Sequence, residues 1–189
     1  RMFMGCDTHH CQTIIASDDW VWDEVPSRAN PNTSSWDTSS VTDMADMFYL
    51  ATAANPDMSG WNTGNVTTMS RMFREARVAN PNNLPGWNTS SVTNMEEMFY
   101  GAYLANPDTA DWDTANVTTM KNMFAQTLVA NPNTTNWNTG NVTDMAGMFL
   151  RAPNANPDTS NWNTANVTTM NRMFMGCDTH HCQTIIASD

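Results

Sequence analysis

The chain has 189 residues, with Lys and Arg totalling 8 against 19 Asp and Glu, so it carries a net charge of −11; nucleic acid and anionic membranes are poor partners for such a surface. No stretch approaches 18 consecutive apolar residues and no leader-like segment opens the sequence, so no membrane span is expected. The length alone suggests one or two ordinary domains, but the large apolar residues recur at a fixed spacing, and that spacing overrides the estimate.

Residues 1–35 comprise the tail of a repeat unit, Arg1-Met2-Phe3, followed by an insertion that holds Cys6, His9, His10, Cys11, Trp20, Trp22 and Val25. All four cysteines, Cys6, Cys11 and their copies Cys177 and Cys182, fall in this insertion or its second copy. In a secreted chain an even number at close spacing reads as a disulfide, with Cys6 to Cys11 as the local bridge. A zinc site from Cys6, His9, His10 and Cys11 is the rival, but ligands this close together do not readily surround one tetrahedral ion. The Trp20, Trp22, Val25 cluster is either a contact patch or a loop folded over the edge of its own array.

From residue 36 to 174 the sequence repeats a frame, W-[DN]-T-x-x-V-T-x-M-x-x-M-F, which begins at Trp36, Trp61, Trp87, Trp112, Trp137 and Trp162. The intervals are 25 residues, except for 26 between Trp61 and Trp87. Each frame is preceded by an A-N-P-[DN] block, as at Asn30-Pro31 and Asn55-Pro56. Twelve of the sixteen methionines, six of the eight tryptophans and six of the seven phenylalanines lie in the frame. They therefore read as a periodic core rather than a cofactor site, led by Trp36, Val41, Met44, Met47 and Phe48 and by Trp61, Val66, Met69, Met72 and Phe73.

Proline confines any strand in the A-N-P block to three or four residues beginning at or just after Pro56 and its equivalents. Val41, Met44, Met47 and Phe48 fall at i, i+3, i+6 and i+7, which predicts a helix of about two turns with one apolar face. Ser40, Thr42 or Asn65 and their equivalents are placed to cap it, and Thr93 with Glu96 has capping-box spacing. So short a helix must be held by its neighbours. The expectation is an α/β repeat solenoid with one short parallel strand and one short helix per 25-residue coil. The Asn of Asn-Pro and the Asx after each Trp are expected to form columns that satisfy turn amides. Calcium is disfavoured because Asp and Asn alternate freely at these positions.

Residues 175–189 start a second copy of the insertion: residues 1–18 recur unchanged at 172–189, a superperiod of 171 residues. The expectation is a window of a longer periodic chain, with a discrete subunit or an engineered duplication as the rival.

Two threonine columns run through the frame: Thr38, Thr63, Thr89, Thr114, Thr139 and Thr164, and Thr42, Thr67, Thr93, Thr118, Thr143 and Thr168. The first column, together with Asn32 and Asn133 from N-x-[ST] triplets, provides candidate glycan sites. Ice binding would need a flat lattice of outward hydroxyls, which a helix-capping second column does not offer.

The frame on its 25 or 26-residue period resembles the BspA-type leucine-rich-repeat surface proteins of bacteria. The resemblance covers residues 29–174. It implies a leucine-rich-repeat-like fold, secretion or display at the cell surface, a role in adhesion and no catalytic residues. The chain departs from that family where a leucine-bearing strand belongs, since it has A-N-P-D-T there.

The reading is therefore a structural extracellular filament or stalk protein whose partners are copies of itself and possible glycans, in a surface or biofilm fibre. It is not an enzyme and requires no cofactor or metal. The alternative is a cell-surface adhesin that binds a host or matrix ligand through one face. Differences between coils are mild and gather at Ser70-Arg71, Glu96-Glu97, Lys121-Asn122 and residues 74–78, which favours the structural reading.

Overall fold

A computed structural model of the chain describes residues 25–81 and 86–176. The repeat forms a stack of rungs: residues 29–53, 54–78, 79–104, 105–129, 130–154 and the start of a sixth from 155. Among the described residues the backbone is almost entirely turn and loop. There is no helix, and pairing in the style of a β-sheet is limited to single-residue parallel bridges such as Asp43 with Thr68 and Thr68 with Asn94. The α/β repeat solenoid, with its strand after Pro56 and helix over 41–48, is therefore not what forms.

The apolar spacing predicts a helix because it cannot distinguish one from a run of tight turns. In the second rung the amides of Trp61, Val66, Met72, Arg74 and Ala76 each donate to the carbonyl three residues earlier. The amides between them go elsewhere. Met69, Arg71, Phe73 and Glu75 donate to Asn94, Glu96, Met98 and Tyr100 of the third rung at 2.7–3.0 Å. Met44, Asp46, Phe48 and Leu50 bond the first rung to the second in the same way. A helix would direct every amide back along its own segment. Here alternate amides point along the stack.

The alternation requires a left-handed residue at two places per rung: Asp46 and Leu50, Arg71 and Glu75, Glu97 and Gly101, Asn122 and Gln126, Gly147 and Arg151, all with φ between 53° and 65°. Each non-glycine residue in that region costs about 1–2 kcal/mol. The inter-rung bonds and the core packed behind them offset this strain.

Asx side chains take up the remaining amides. Oδ1 of Asp37, Asn62, Asn88, Asp113, Asn138 and Asn163 accepts the amide two residues on, at 2.9–3.1 Å. The Asx after proline does the same, as in Asp57 to Ser59 and Asn133 to Thr135. An amide oxygen and a carboxylate oxygen serve equally as this acceptor. This explains why Asp and Asn interchange. The Asn of A-N-P bonds between rungs instead: Oδ1 of Asn30 accepts Asn55 N, Asn55 accepts Asn80, Asn106 accepts Asn131 and Asn131 accepts Asn156.

Inside the stack the frame residues form columns. Phe48, Phe73, Phe99, Phe124, Phe149 and Phe174 lie face to face with centroids 5.3–5.7 Å apart. Trp36, Trp61 and Trp87 stack beside them at 6.0 and 6.3 Å. Met44, Phe48, Trp61, Val66, Met69, Met72 and Phe73 are buried, as the sequence predicts, while Trp36, Val41 and Met47 of the first rung are partly buried. Burying one such large side chain contributes about 1.5–3 kcal/mol. Repetition along the stack turns this into one continuous core. No helix among the described residues is long and apolar enough to cross a membrane.

Candidate functional site

Rungs differ chiefly in the two residues between the frame methionines and in the residues after the phenylalanine. These positions share one face of the stack, where successive side chains engage one another. Arg71 Nη2 bonds Asp46 Oδ2 at 2.8 Å, joining the second rung to the first. Arg74 lies between two tyrosine rings, 5.2 Å from Tyr49 and 5.1 Å from Tyr100, with its Nη1 2.8 Å from Glu97 Oε2. Lys121 Nζ reaches Glu96 at 2.9 Å, Asn122 Nδ2 donates to Glu97, and Gln126 Nε2 donates to the Tyr100 hydroxyl. The varied residues thus join the first four rungs to one another.

Glu75 sits in the middle of this face, 3.6 Å from Arg77 Nε. Arg77 also lies over the Tyr103 ring at 5.4 Å. Burial raises the Glu75 carboxyl above its ordinary value, and the charges of Arg77 and Arg74 pull against that shift. The Tyr100 and Tyr103 hydroxyls are also raised, chiefly by burial. On the opposite sign, Lys121 is raised by its hydrogen bond to Glu96 and by that residue's charge. These shifts belong to side chains engaged in pairs, within a rung for Glu75 with Arg77 and between rungs for Lys121 with Glu96.

The threonine column proposed for glycans faces inward. Thr38, Thr63, Thr89, Thr114 and Thr139 are buried, and their hydroxyls donate to Asn62, Asn88, Asp113, Asn138 and Asn163 carbonyls of the next rung at 2.9–3.1 Å. A hydroxyl so placed is not open to a sugar in the folded chain. Thr164, on the last described rung, is exposed. Alternation around each tryptophan was the overlooked signal: Trp in, Asx out, Thr in. The second column is exposed but caps no helix. Thr67, Thr93, Thr118, Thr143 and Thr168 direct both amide and hydroxyl to the same carbonyl of the preceding rung.

Asn32 and Asn133 are exposed, with Oδ1 held by the amides of Ser34 and Thr135. Cys6, Cys11, Cys177 and Cys182, with Trp20 and Trp22, lie outside the described residues. Among the described residues no group of three His, Cys, Asp or Glu side chains could hold a metal ion. A cavity of about 410 Å³ beside the first rung is lined by Trp36, Val41, Met44, Met47 and two carboxylates, Asp37 and Asp43. Both carboxylates already accept turn amides, from Ser39 and Ala45. Sequence reasoning did not find the stripe Val78, Leu104 and Val129, which is exposed on three adjoining rungs.

No curated protein and no solved structure matches the chain. A family model described as "Mycoplasma protein of unknown function, DUF285" matches residues 25–105 and again 77–186. The two matches are offset by about two rungs, as a repeating frame allows. Together they take in the whole described stack and well over half of the sequence, and the chain belongs to this DUF285 family.

Proposed function

We propose that the chain is a structural element of an extracellular filament or stalk, in which like rungs stack on like and the partners are copies of the same sequence. The observation that carries this reading is the use made of the varied residues. Asp46, Arg71, Arg74, Glu96, Glu97 and Lys121 are turned into rung-to-rung pairs rather than presented as an unengaged binding surface. The matching family carries no assigned activity, so the reading rests on the geometry and on the BspA-type resemblance. Any glycan belongs at exposed asparagines such as Asn32 and Asn133. Electron microscopy of purified protein tests the proposal: rods or filaments are expected, and uniformly isolated 21 kDa particles would overturn it.

The second reading, an adhesin, has one observation in its favour. Val78, Leu104 and Val129 form an exposed apolar stripe, 38–46% accessible, on three adjoining rungs. Exposed apolar patches of this kind mark contact surfaces. Loss of attachment to a matrix-coated surface after Leu104→Ser, with the fold intact, would favour that reading.

A further inference from the structure

We propose that the stack is an extensible tether that opens one rung at a time when pulled along its length, beginning at the sixth rung. This deepens the structural reading by giving it a mechanical character. The test uses single chains, so failure to unravel and failure to form filaments are separate results.

Bond direction is the first ground. Among the described residues, every backbone hydrogen bond beyond a local turn joins adjoining rungs, as in Phe48 to Met72, Phe73 to Met98, Phe99 to Met123 and Phe124 to Met148. The Thr and Asn side-chain bonds also run from one rung to the next. A pull along the stack loads these interfaces one after another. In a stack whose units touch only their neighbours, stability is a sum of unit and nearest-neighbour contributions, so a single rung can leave while the rest stay folded.

Length is the second. Paired backbones lie about 4.8 Å apart, whereas a released segment of rung length, 25 residues, spans at most about 80–90 Å when extended. Each opening therefore lengthens the chain many-fold relative to the folded rung it replaces. The local turns hold only residues three apart and offer little resistance once the neighbour is lost.

The third ground is the uneven distribution of pairs. The first four rungs are joined by Asp46 with Arg71, Arg74 with Tyr49, Tyr100 and Glu97, and Lys121 with Glu96. The fifth rung offers Ala146, Gly147 and Leu150 at the corresponding places. Its junction with the sixth is made by frame residues, including Thr139 to Asn163 and Phe149 over Phe174.

The experiment is single-molecule stretching of the 189-residue chain, held by handles at its two ends. A series of force peaks separated by increments of about 80–90 Å is expected. Arg74→Leu should weaken later peaks and leave the first unchanged. If that variant does not fold, Lys121→Met tests the third and fourth rungs in the same way. One rupture releasing the whole stack would overturn the proposal. A variant that lowers the first peak and spares the later ones would overturn the order.

Discussion

Gly101 leaves the space that the carboxylate of Glu75 fills: a Cβ on Gly101 would stand 2.6 Å from Glu75 Oε1, and the glycine sits at φ +65°. One position thus answers two demands, a left-handed turn and room for a side chain from the rung before. Gly101→Ala should destabilise the fold by about 1–3 kcal/mol, combining φ strain with overpacking. Adding Glu75→Ala should recover the overpacking share and leave the φ share. Denaturant unfolding of the two single variants and the double variant measures the coupling.

Core columns give a second prediction with its own control. Phe99 is fully buried between Phe73 and Phe124, whereas Phe174 is 59% exposed. Phe99→Ala should cost about 3–5 kcal/mol, and Phe174→Ala well under half of that. Equal losses in thermal unfolding would refute a core that runs continuously through the middle rungs.

The two threonine columns should respond differently to the same change. Thr89 is buried, and its hydroxyl supplies a hydrogen bond to Asp113 O; Thr93 is exposed, and its backbone amide already donates to the carbonyl its hydroxyl reaches. Thr89→Val should cost about 1–2 kcal/mol, because a part-buried hydrogen bond between rungs is lost. Thr93→Val should change stability by less than about 1 kcal/mol. Chemical denaturation of both variants provides the comparison.

Glu75 sets a pH dependence whose sign follows from its raised carboxyl. The folded chain holds the proton more tightly than the unfolded chain does. Stability from this group is therefore fully present below the ordinary value of 4.5 and is lost as pH rises through the higher folded value. Glu75→Gln should flatten that decline. A melting temperature that falls over the same pH range in both proteins would assign the decline to another group.

Asp37, Asp57 and Asp158 behave in the opposite sense. Hydrogen bonds from the serine side chain, and then from its amide, lower each carboxyl below 3.8. Their contribution is present above the ordinary carboxylate range and lost as acid protonates them. Asp57→Asn should leave the neutral-pH melting temperature unchanged, since Asn133 makes the same turn at the equivalent place. It should also reduce the loss on acidification below the ordinary carboxylate range, where a lowered carboxyl takes up its proton.

Columns were legible in the sequence because burial needs only the right residue at the right interval. Trp61, Val66, Met69, Met72 and Phe73 lie in the core where the period puts them. The Asx columns were legible too, since their chemistry is local. Backbone conformation between Val41 and Phe48 was not. Spacings of three and four fit a helix, yet they also fit turns whose intervening amides leave for the next rung. Gly101, Asn122 and Gly147 carried the missing signal, as three residues tolerant of positive φ in the two columns that adopt it. The pairing of Arg74 with Tyr49, Tyr100 and Glu97 was hidden for another reason: it depends on which rung faces which, and a single repeat does not contain that information.

The Asx turns separate the shape of this protein from its charge. Folding requires an oxygen at Asp57 or Asn133, and at Asp113 or Asn138, but does not require that oxygen to be ionised. A lineage can exchange Asp for Asn along the outer edge and move the net charge from −11 towards neutrality while every turn stays closed. Solubility, mutual repulsion between neighbouring molecules and sensitivity to salt then become adjustable properties of a backbone that does not change.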